Sequence, residues 1–420
     1  MLKVELAQPV SMESEMASPL RDVQIYHHSD EIPASEWQSV IQPEHTFMCL
    51  DYLRGLESAQ DSGLELRYGI FRADGKCIGA AVFQITHFTT SDEAYSNRLL
   101  SWTNRLIRWV RCNHVHNILI CGNAIATGEH GFSFLPGIEQ DRIGQLVVEA
   151  MDQISSIEKI QGKPICAMVV KDFYPTSLHS LTGFEQRGFK LFEVDHNMVM
   201  PIPSDWVSFE DYLNALNTKF RTKAKSALSK SATLNVRELN ADEMLEHSDR
   251  LNELYLQVHE RADFRLGTMD MKSLPSLAAS LDGKFHVVGF FDTDHLVGFQ
   301  TAMICGGVLE AHVIGLDYAL NRDLAIYQRM LYEYVRLAII THSSKIVFGR
   351  TAAEIKSTVG AFPVNLHCGF KHRRRISNAL LSRILDYVKP SAFPMRHPYR
   401  KEALQQQLIL LGQPMEHVAN

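Results

Sequence analysis

The sequence lacks the features that would place it in a membrane or secreted class. No uninterrupted apolar run approaches the ~20 residues that span a bilayer. The N-terminal stretch MLKVELAQPVSMESEMASPL carries acids and prolines where a signal peptide needs an apolar segment. The seven cysteines are odd in number and form no CxxC pair, which indicates reduced thiols rather than a disulfide framework or a zinc site. We therefore expect a cytoplasmic protein, with peripheral contact to the inner face of the membrane left open.

A strong excess of positive charge is also missing. The formal net charge of −6 argues against DNA as a partner. Histidine pairs such as His27-His28 are too scattered to predict a metal site. What the sequence does contain is typical of a globular protein, with 45% hydrophobic and 21% charged residues. Because 420 residues exceed what one hydrophobic core usually supports, two domains are expected.

One strand-turn-strand pattern occurs twice. The segments RYGIFRADGKCIGAAVFQ (67–84) and HVVGFFDTDHLVGFQTAM (286–303) align without a gap, so that Gly79 falls on Gly298. A strongly amphipathic helix is predicted downstream of each segment. The apolar positions of the two helices are Ile143, Leu146, Val147, Ala150, Met151 and Ile154, then Tyr327, Met330, Leu331, Tyr334, Val335 and Ala338. Each helix is followed by an apolar strand, at 163–170 or 345–349, and then by a shorter helix.

This repeated order predicts an α/β protein in which a mixed sheet flanked by helices is made twice. A helix between two strands suggests that those strands lie parallel in one sheet. We place a flexible segment at 1–20 and a first domain at 21–200. After the prolines of PIPSDW we place a second domain at 201–375 and a helical extension at 376–420.

The order resembles the GNAT acyltransferase superfamily, and its duplication resembles the Fem-type, FemAB-like N-acyltransferases. The segments that carry the resemblance lie within residues 21–372 and are 177–200, 211–230 and 348–366. The resemblance implies acyl transfer from a thioester-type donor at one site framed by both halves. The chain departs from the superfamily at the glycine motif that holds a pyrophosphate, since GIEQDRIGQL (137–146) and YALNRDLAIY (318–327) both fail to match it. Acyl-CoA, an acyl carrier protein and aminoacyl-tRNA therefore all stay open as donors.

The first copy is longer than the second between the hairpin and the long helix. Within the extra length, NRLLSWTNRLIRWVR (97–111) forms a helical wheel with Trp102 and Trp109 on the apolar half. Arg105 and Arg108 lie on the other half, where arginine is the only charged residue type. This pattern is typical of a helix that lies on an anionic membrane surface. The alternative is a helix that packs on its own domain and exposes its arginines to water.

Acyl transfer to an amine needs a base that removes the ammonium proton and donors that stabilise the oxyanion. The resemblance places the base on strands 117–134 and 308–320. We therefore select Glu129, His130 and His312 as candidate catalytic residues. Glycines on both sides of Glu129 and His130 would allow a bulge. For His312 the alternative is a hydrogen-bonded histidine of the core.

Six further residues are candidates for substrate binding. Arg350 leaves the end of a predicted parallel strand, where it could capture a phosphate or a carboxylate. A salt bridge to Glu354 is its alternative, and capping of a loop is the alternative for Asp317. Lys219 and Arg221 lie in a basic run whose default interpretation is a solvated helix. The full set comprises Arg350, Lys356, Tyr327, Asp317, Lys219 and Arg221.

Three functions are compatible with these features. The leading hypothesis is an N-acyltransferase acting on the primary amine of an amphiphilic acceptor, such as a sphingoid-type long-chain base, at the membrane surface. The second is Fem-type transfer from aminoacyl-tRNA to a cell-wall precursor. The third is a degenerate pair of domains that only binds an acylated or phosphorylated partner, for which the missing glycines are expected.

Overall fold

The computed structural model describes residues 22–42, 45–58, 64–89, 115–261, 268–281, 283–385 and 392–412. The predicted helix at 97–111 lies outside these residues. The strands are β1 Val23–Tyr26, β2 Leu64–Ala73, β3 Lys76–Thr89, β4 Val115–Cys121, β5 Phe132–Phe134, β6 Ile165–Phe173, β7 Lys190–Pro201, β8 Leu234–Glu238, β9 Phe285–Asp292, β10 His295–Cys305, β11 Val308–Leu316, β12 Lys345–Val347 and β13 Phe362–His372.

The described helices lie between these strands, except for the last two, which follow β13. They are α1 Ala34–Val40, α2 Leu50–Ser58, α3 Gln140–Ile160, α4 Thr182–Glu185, α5 Phe209–Ala215, α6 Thr218–Lys230, α7 Ala241–Glu246, α8 Ser248–His259, α9 Leu274–Ser280, α10 Tyr318–Leu324, α11 Ile326–Ile340, α12 Ala353–Val359, α13 Arg375–Leu385 and α14 Lys401–Leu410. Short 3-10 helices span Ser29–Glu31, Thr46–Met48, Pro175–Leu181 and Met271–Ser273. The two long amphipathic helices predicted from the sequence are α3 and α11.

The predicted repeat is confirmed by the order of the strands. The path is β1-β2-β3-β4-β6-β13-β7-β12-β11-β10-β9-β8, with β5 paired to β3. In the repeat, the strands β1, β2, β3, β4, β6 and β7 of the first half correspond to β8, β9, β10, β11, β12 and β13 of the second. With this correspondence, the strand order followed from the β1 edge is the same as the order followed from the β8 edge. The crossover pairs β4–β6 and β11–β12 are parallel, as predicted, and each crossover contains a long helix.

The two sheets expected from the sequence are joined into one. β7 of the first half pairs with β12 of the second, and β13 of the second half pairs with β6 of the first. The exchanged strands also pair with each other at the centre of the sheet. The halves therefore share backbone hydrogen bonds instead of meeting only through side chains.

Helices cover both faces of this sheet. On one face α3 packs over the first half and α11 packs over the second. Leu146 of α3 shares a core with Phe83 of β3, and Val335 of α11 shares a core with Leu309 of β11. On the other face α2 and α9 bring the two halves into a common core, where Gly55 lies directly against Leu277. A side chain at position 55 would collide with that leucine, so glycine permits the close approach of α2 and α9.

Candidate functional site

The strand that should carry catalysis is interrupted at the same point in both halves. In the second half, pairing of β10 with β11 passes from Gln300–Ile314 to Ala302–Ala311, so His312 and Val313 together stand opposite Thr301. This is a β-bulge. In the first half, β3 pairs with β5 and then with β4, and the loop 122–131 stands opposite Val82. The bulge that the sequence suggested near His130 is therefore a ten-residue loop, and the true bulge lies at His312.

His130 and His312 converge on one phenylalanine from these equivalent positions. The ring of Phe47 lies 4.5 Å from the ring of His130 and 5.7 Å from that of His312. His312 also packs against Tyr52 and Phe285. Burial lowers the pKa of His130 to about 3 and that of His312 to about 4. Both imidazoles are therefore neutral near pH 7 and too weakly basic to hold a proton there.

Glu129 points away from this aromatic cluster. Its carboxylate accepts hydrogen bonds from the backbone N–H of Tyr174, at 2.7 Å, and from the hydroxyl of Ser177, at 3.1 Å. Burial raises the pKa of Glu129, and these two hydrogen bonds oppose the rise. The carboxylate thus ties the loop 122–131 to the segment that follows β6.

Glu129 also lines a cavity of about 280 Å³ in the first half. Lys171 and Ser177 contribute to its wall, and Phe134 and Gln140 border it near the start of α3. The cavity lies next to the loop where the superfamily's pyrophosphate-binding glycines were sought. A small ligand could reach the end of β4 and the start of α3 from it.

A buried ion cluster joins the two halves beside this cavity. The carboxylate of Asp172, which is 0% exposed, forms an ion pair with Arg350 and lies 2.5 Å from the ammonium of Lys171. Val169 of β6 and Val347 of β12 occupy equivalent positions in the repeat. Asp172 comes three residues after Val169 and Arg350 comes three residues after Val347, so the ion pair links equivalent positions of the two halves. Burial lowers the pKa of both Lys171 and Arg350.

The partner of Arg350 is thus different from the one considered from the sequence. Glu354 instead pairs with Arg396 at 2.5 Å. Lys356 donates hydrogen bonds to the backbone oxygens of Phe348 and Gly349, and burial lowers its pKa to about 7. Lys356 therefore shapes the loop from which Arg350 projects.

Sequence reasoning missed Glu310. This residue lies on β11 two positions before His312 and is 9% exposed, and its carboxylate forms no hydrogen bond to another described residue. Burial raises the pKa of Glu310 to about 8, against the opposing charge of Lys345. The available signal was a single acid inside the apolar run VLEAHVIGL (308–316).

Tyr174, from the first half, lies within electrostatic reach of Glu310. Burial, and then the charge of Glu310, raises the pKa of the Tyr174 phenol above its usual value. The phenol oxygen accepts a hydrogen bond of 2.9 Å from the side-chain amide of Asn197 on β7. The O–H of Tyr174 is therefore left to donate. A buried carboxylate and a phenol from opposite halves could accept and supply protons.

The remaining candidates lie away from this cluster. Asp317 caps α10 by accepting a hydrogen bond from the N–H of Ala319, as in the alternative role considered from the sequence. It also forms an ion pair with Arg250. Tyr327 lies in the first turn of α11, and its ring packs against the hydrophobic core. On α6, Lys219 is exposed and Arg221 donates to the backbone oxygen of Leu216. Within the described residues, no group of histidine, cysteine and acidic side chains is arranged to hold a metal ion.

Each half therefore runs hairpin, strand, helix, strand and exchanged strand, around one cluster that both halves supply. The chain has the tandem GNAT-like fold. No protein-family model and no curated protein sequence matches it. In the part of the chain that the structure describes, no helix is both long and apolar enough to cross a bilayer.

Several solved structures are similar to this tandem GNAT-like chain. FemX superposes with a TM-score of 0.48 at 12% identity, over 82% of this chain and 96% of that one. A C-terminal domain of a putative lysylphosphatidylglycerol synthetase from Agrobacterium fabrum gives 0.46 at 8% identity, over 86% and 98%. A tandem GNAT protein from the clavulanic acid biosynthesis pathway gives 0.45 at 9% identity, over 83% and 98%. At such low scores, function has to be inferred from the geometry of this chain.

Proposed function

We propose that the chain transfers an acyl group from a thioester donor to the primary amine of an amphiphilic acceptor, with Glu310 as the proton acceptor. The observation that supports this proposal is the buried carboxylate of Glu310, which has no hydrogen-bond partner among the described residues and a pKa of about 8. An ammonium must lose a proton before it attacks a carbonyl. A base works best when its pKa lies near the working pH.

The proposed reaction needs no group beyond the two substrates and these side chains. The ammonium gives a proton to Glu310, and the amine nitrogen then forms a bond to the thioester carbonyl carbon. Tyr174 donates a hydrogen bond to the oxyanion and then a proton to the departing thiolate as the carbon–sulfur bond breaks, and the second proton of the attacking nitrogen restores the Tyr174 phenol. The products are an amide and a thiol, and Glu310 releases its proton to water.

The cavity in the first half is the proposed site for the donor's acyl end. It lies at the end of β4 and the start of α3, on the side of Glu129 and Lys171. The amphiphilic nature of the acceptor is inferred from the sequence of residues 97–111. Contact of Trp102, Arg105, Arg108 and Trp109 with an anionic membrane belongs to the same proposal.

The direct test is thiol release from a panel of donors in the presence of a long-chain primary amine. The donors are acetyl-CoA, a long-chain acyl-CoA and an acylated carrier protein, with aminoacyl-tRNA assayed separately. We expect a thioester donor to support transfer and Glu310→Gln to lower turnover by roughly 10²–10⁴-fold. The matched control is Glu238→Gln, because Glu238 is an exposed strand acid of the same half.

Other outcomes would replace this proposal. Transfer from aminoacyl-tRNA alone would favour the Fem-type reaction. Binding of a thioester without turnover, unchanged by Glu310→Gln, would favour a binding protein. Equal loss of turnover in Glu238→Gln and Glu310→Gln would remove Glu310 from the chemistry.

A further inference from the structure

Helix α13 has one side fixed to the sheet and one side in water. On the inner side Leu381 and Leu385 pack against Phe370 of β13 and Cys166 of β6. Asn378 donates a hydrogen bond of 2.9 Å to the backbone oxygen of Gly188, and its side-chain oxygen accepts one of 2.8 Å from the N–H of His372. These contacts with the sheet fix the rotation of α13 about its own axis.

The outer side of α13 is apolar and is preceded by positive charge. Ile376 is 79% exposed and Leu380 is 46% exposed, and the spacing of four residues places them on the same face. Arg373, Arg374 and Arg375 are all exposed, and none forms an ion pair with another described residue. We call these five residues the α13 patch. Single exposed apolar residues are common, but a group bordered by unpaired charge of one sign indicates an interaction surface.

We propose that the α13 patch docks onto an anionic lipid surface. The three guanidinium groups complement lipid phosphates, and Ile376 and Leu380 can enter the boundary between headgroups and acyl chains. A nucleic acid would pair with the arginines but leave both apolar side chains in water. A second copy of the chain placed face to face would bring six arginines together. The lipid surface is the partner that satisfies both the charges and the apolar groups.

This docking surface is separate from the acyl-transfer chemistry and from the sequence at 97–111. It uses described residues of the second half, none of which belongs to the cluster around Glu310 and Asp172. Docking would nevertheless bring the protein to the surface where an amphiphilic amine resides. Failure of lipid binding and failure of catalysis can therefore be observed independently.

Co-sedimentation with vesicles tests the proposal. We expect the full chain to bind vesicles of equal parts phosphatidylglycerol and phosphatidylcholine, to bind phosphatidylcholine alone much less, and to be released by salt. Arg374→Glu with Arg375→Glu should weaken binding about thirtyfold or more. Ile376→Ser with Leu380→Ser should weaken it by about tenfold or more. All four side chains point to water, so the melting temperature should stay unchanged.

Matched controls come from other exposed positions. Lys223→Glu with Lys225→Glu reverses two charges on the basic helix α6, and Ile340→Ser removes an exposed isoleucine at the end of α11. Neither control should alter vesicle binding. Thiol release with a water-soluble amine should also be the same in the α13 variants and the wild type.

Four results would overturn the proposal. The first is binding to neutral vesicles that equals binding to anionic ones. The second is full binding by both α13 variants with loss only in Arg105→Glu with Arg108→Glu, which would assign the surface to residues 97–111. The third is self-association in sedimentation velocity that Ile376→Ser with Leu380→Ser abolishes. The fourth is retention of an RNA in a gel shift without any binding to vesicles.

Discussion

The two halves of the chain share one fold and differ at the point where pairing with the second hairpin strand is interrupted. In the second half a two-residue bulge keeps β11 continuous and leaves Glu310 on the strand. In the first half a ten-residue loop replaces the bulge and carries Glu129 and His130. The equivalent of Glu310 on β4 is Ile120, an apolar residue. A duplicated fold can thus keep its hydrogen-bond framework while its two copies take on different chemistry.

The carboxylates of Glu129 and Glu310 show the same difference at the level of single groups. Burial raises the pKa of both Glu129 and Glu310. The carboxylate of Glu129 accepts two hydrogen bonds from the segment after β6, whereas that of Glu310 has no such donor among the described residues. Hydrogen-bond donors help a carboxylate to keep its charge, and a buried carboxylate without donors binds a proton more tightly.

The largest expected effect is the difference in turnover between substitution of Glu310 and substitution of Glu129. Glu310→Gln should reduce turnover by roughly 10²–10⁴-fold because it removes the proposed base. Glu129→Gln keeps an oxygen that can accept from Tyr174, so its turnover should fall by less than about tenfold. Steady-state thiol release measures both variants. The comparison fails if Glu129→Gln is the more damaging substitution.

The next prediction concerns the ion pair that links the halves. Asp172→Ala leaves Lys171 and Arg350 without their carboxylate, and loss of one partner of a buried pair costs about 3–5 kcal/mol of unfolding free energy. Glu354→Ala breaks the exposed pair with Arg396 and should cost at most about 1 kcal/mol. Urea unfolding followed by circular dichroism measures both changes. Similar losses in the two variants would show that the central pair contributes no more than a surface pair.

The exchange of strands predicts a single unfolding transition for both halves. Unfolding of one half removes β7 or β13 from its place beside a strand of the other half. The backbone groups of that neighbouring strand would then form an unpaired sheet edge. Tryptophan fluorescence and circular dichroism should give coincident urea curves. A fragment of residues 21–200 should aggregate instead of folding. Two separate transitions would contradict the continuous sheet.

Glu310 also predicts how stability depends on pH. Its pKa is about 8 in the folded protein and near the ordinary 4.5 when unfolded. The folded state therefore holds a proton that the unfolded state releases. The stabilisation is fully present below pH 4.5 and is lost as the pH rises through about 8. The unfolding free energy of Glu310→Gln should decline less between about pH 5 and pH 8 than that of the wild type, whereas equal slopes would show that Glu310 titrates normally.

The smallest effect is expected at His312. Its ring lies among Phe47, Tyr52 and Phe285, and its pKa of about 4 leaves it neutral at working pH. His312→Leu should keep turnover within about threefold and unfolding free energy within about 1.5 kcal/mol, as for a swap between side chains of similar volume. A drop in turnover near that of Glu310→Gln would return the role of base to His312.

Much of the fold could be predicted because it rests on local patterns. The alternation of apolar residues marked the hairpins at 67–84 and 286–303, and the helical period marked α3 and α11. The parallel pairs β4–β6 and β11–β12 followed from the length of the crossovers. The same patterns could not distinguish two separate sheets from one, because an exchanged strand has the same sequence whichever neighbour it pairs with.

The site was only partly predictable for a related reason. The sequence placed a base on strand 308–320, where the proposed base Glu310 lies, but it selected His312 because histidine has an ordinary pKa near 7. Burial reverses this order, since it lowers the pKa of an imidazole and raises that of a carboxylate. Arg350 was selected for its position at a strand end, yet its partner Asp172 lies in the other half.

The sequence alone therefore determined the repeated elements and the helices that cover them, because each of these depends on residues close together in the chain. Tertiary structure decided the exchange of β7 and β13, the pairing of Asp172 with Arg350 and the approach of Tyr174 to Glu310. Each of these contacts joins residues from different halves of the chain. Their pKa values and partners depend on burial and distance, which exist only once the halves have folded together.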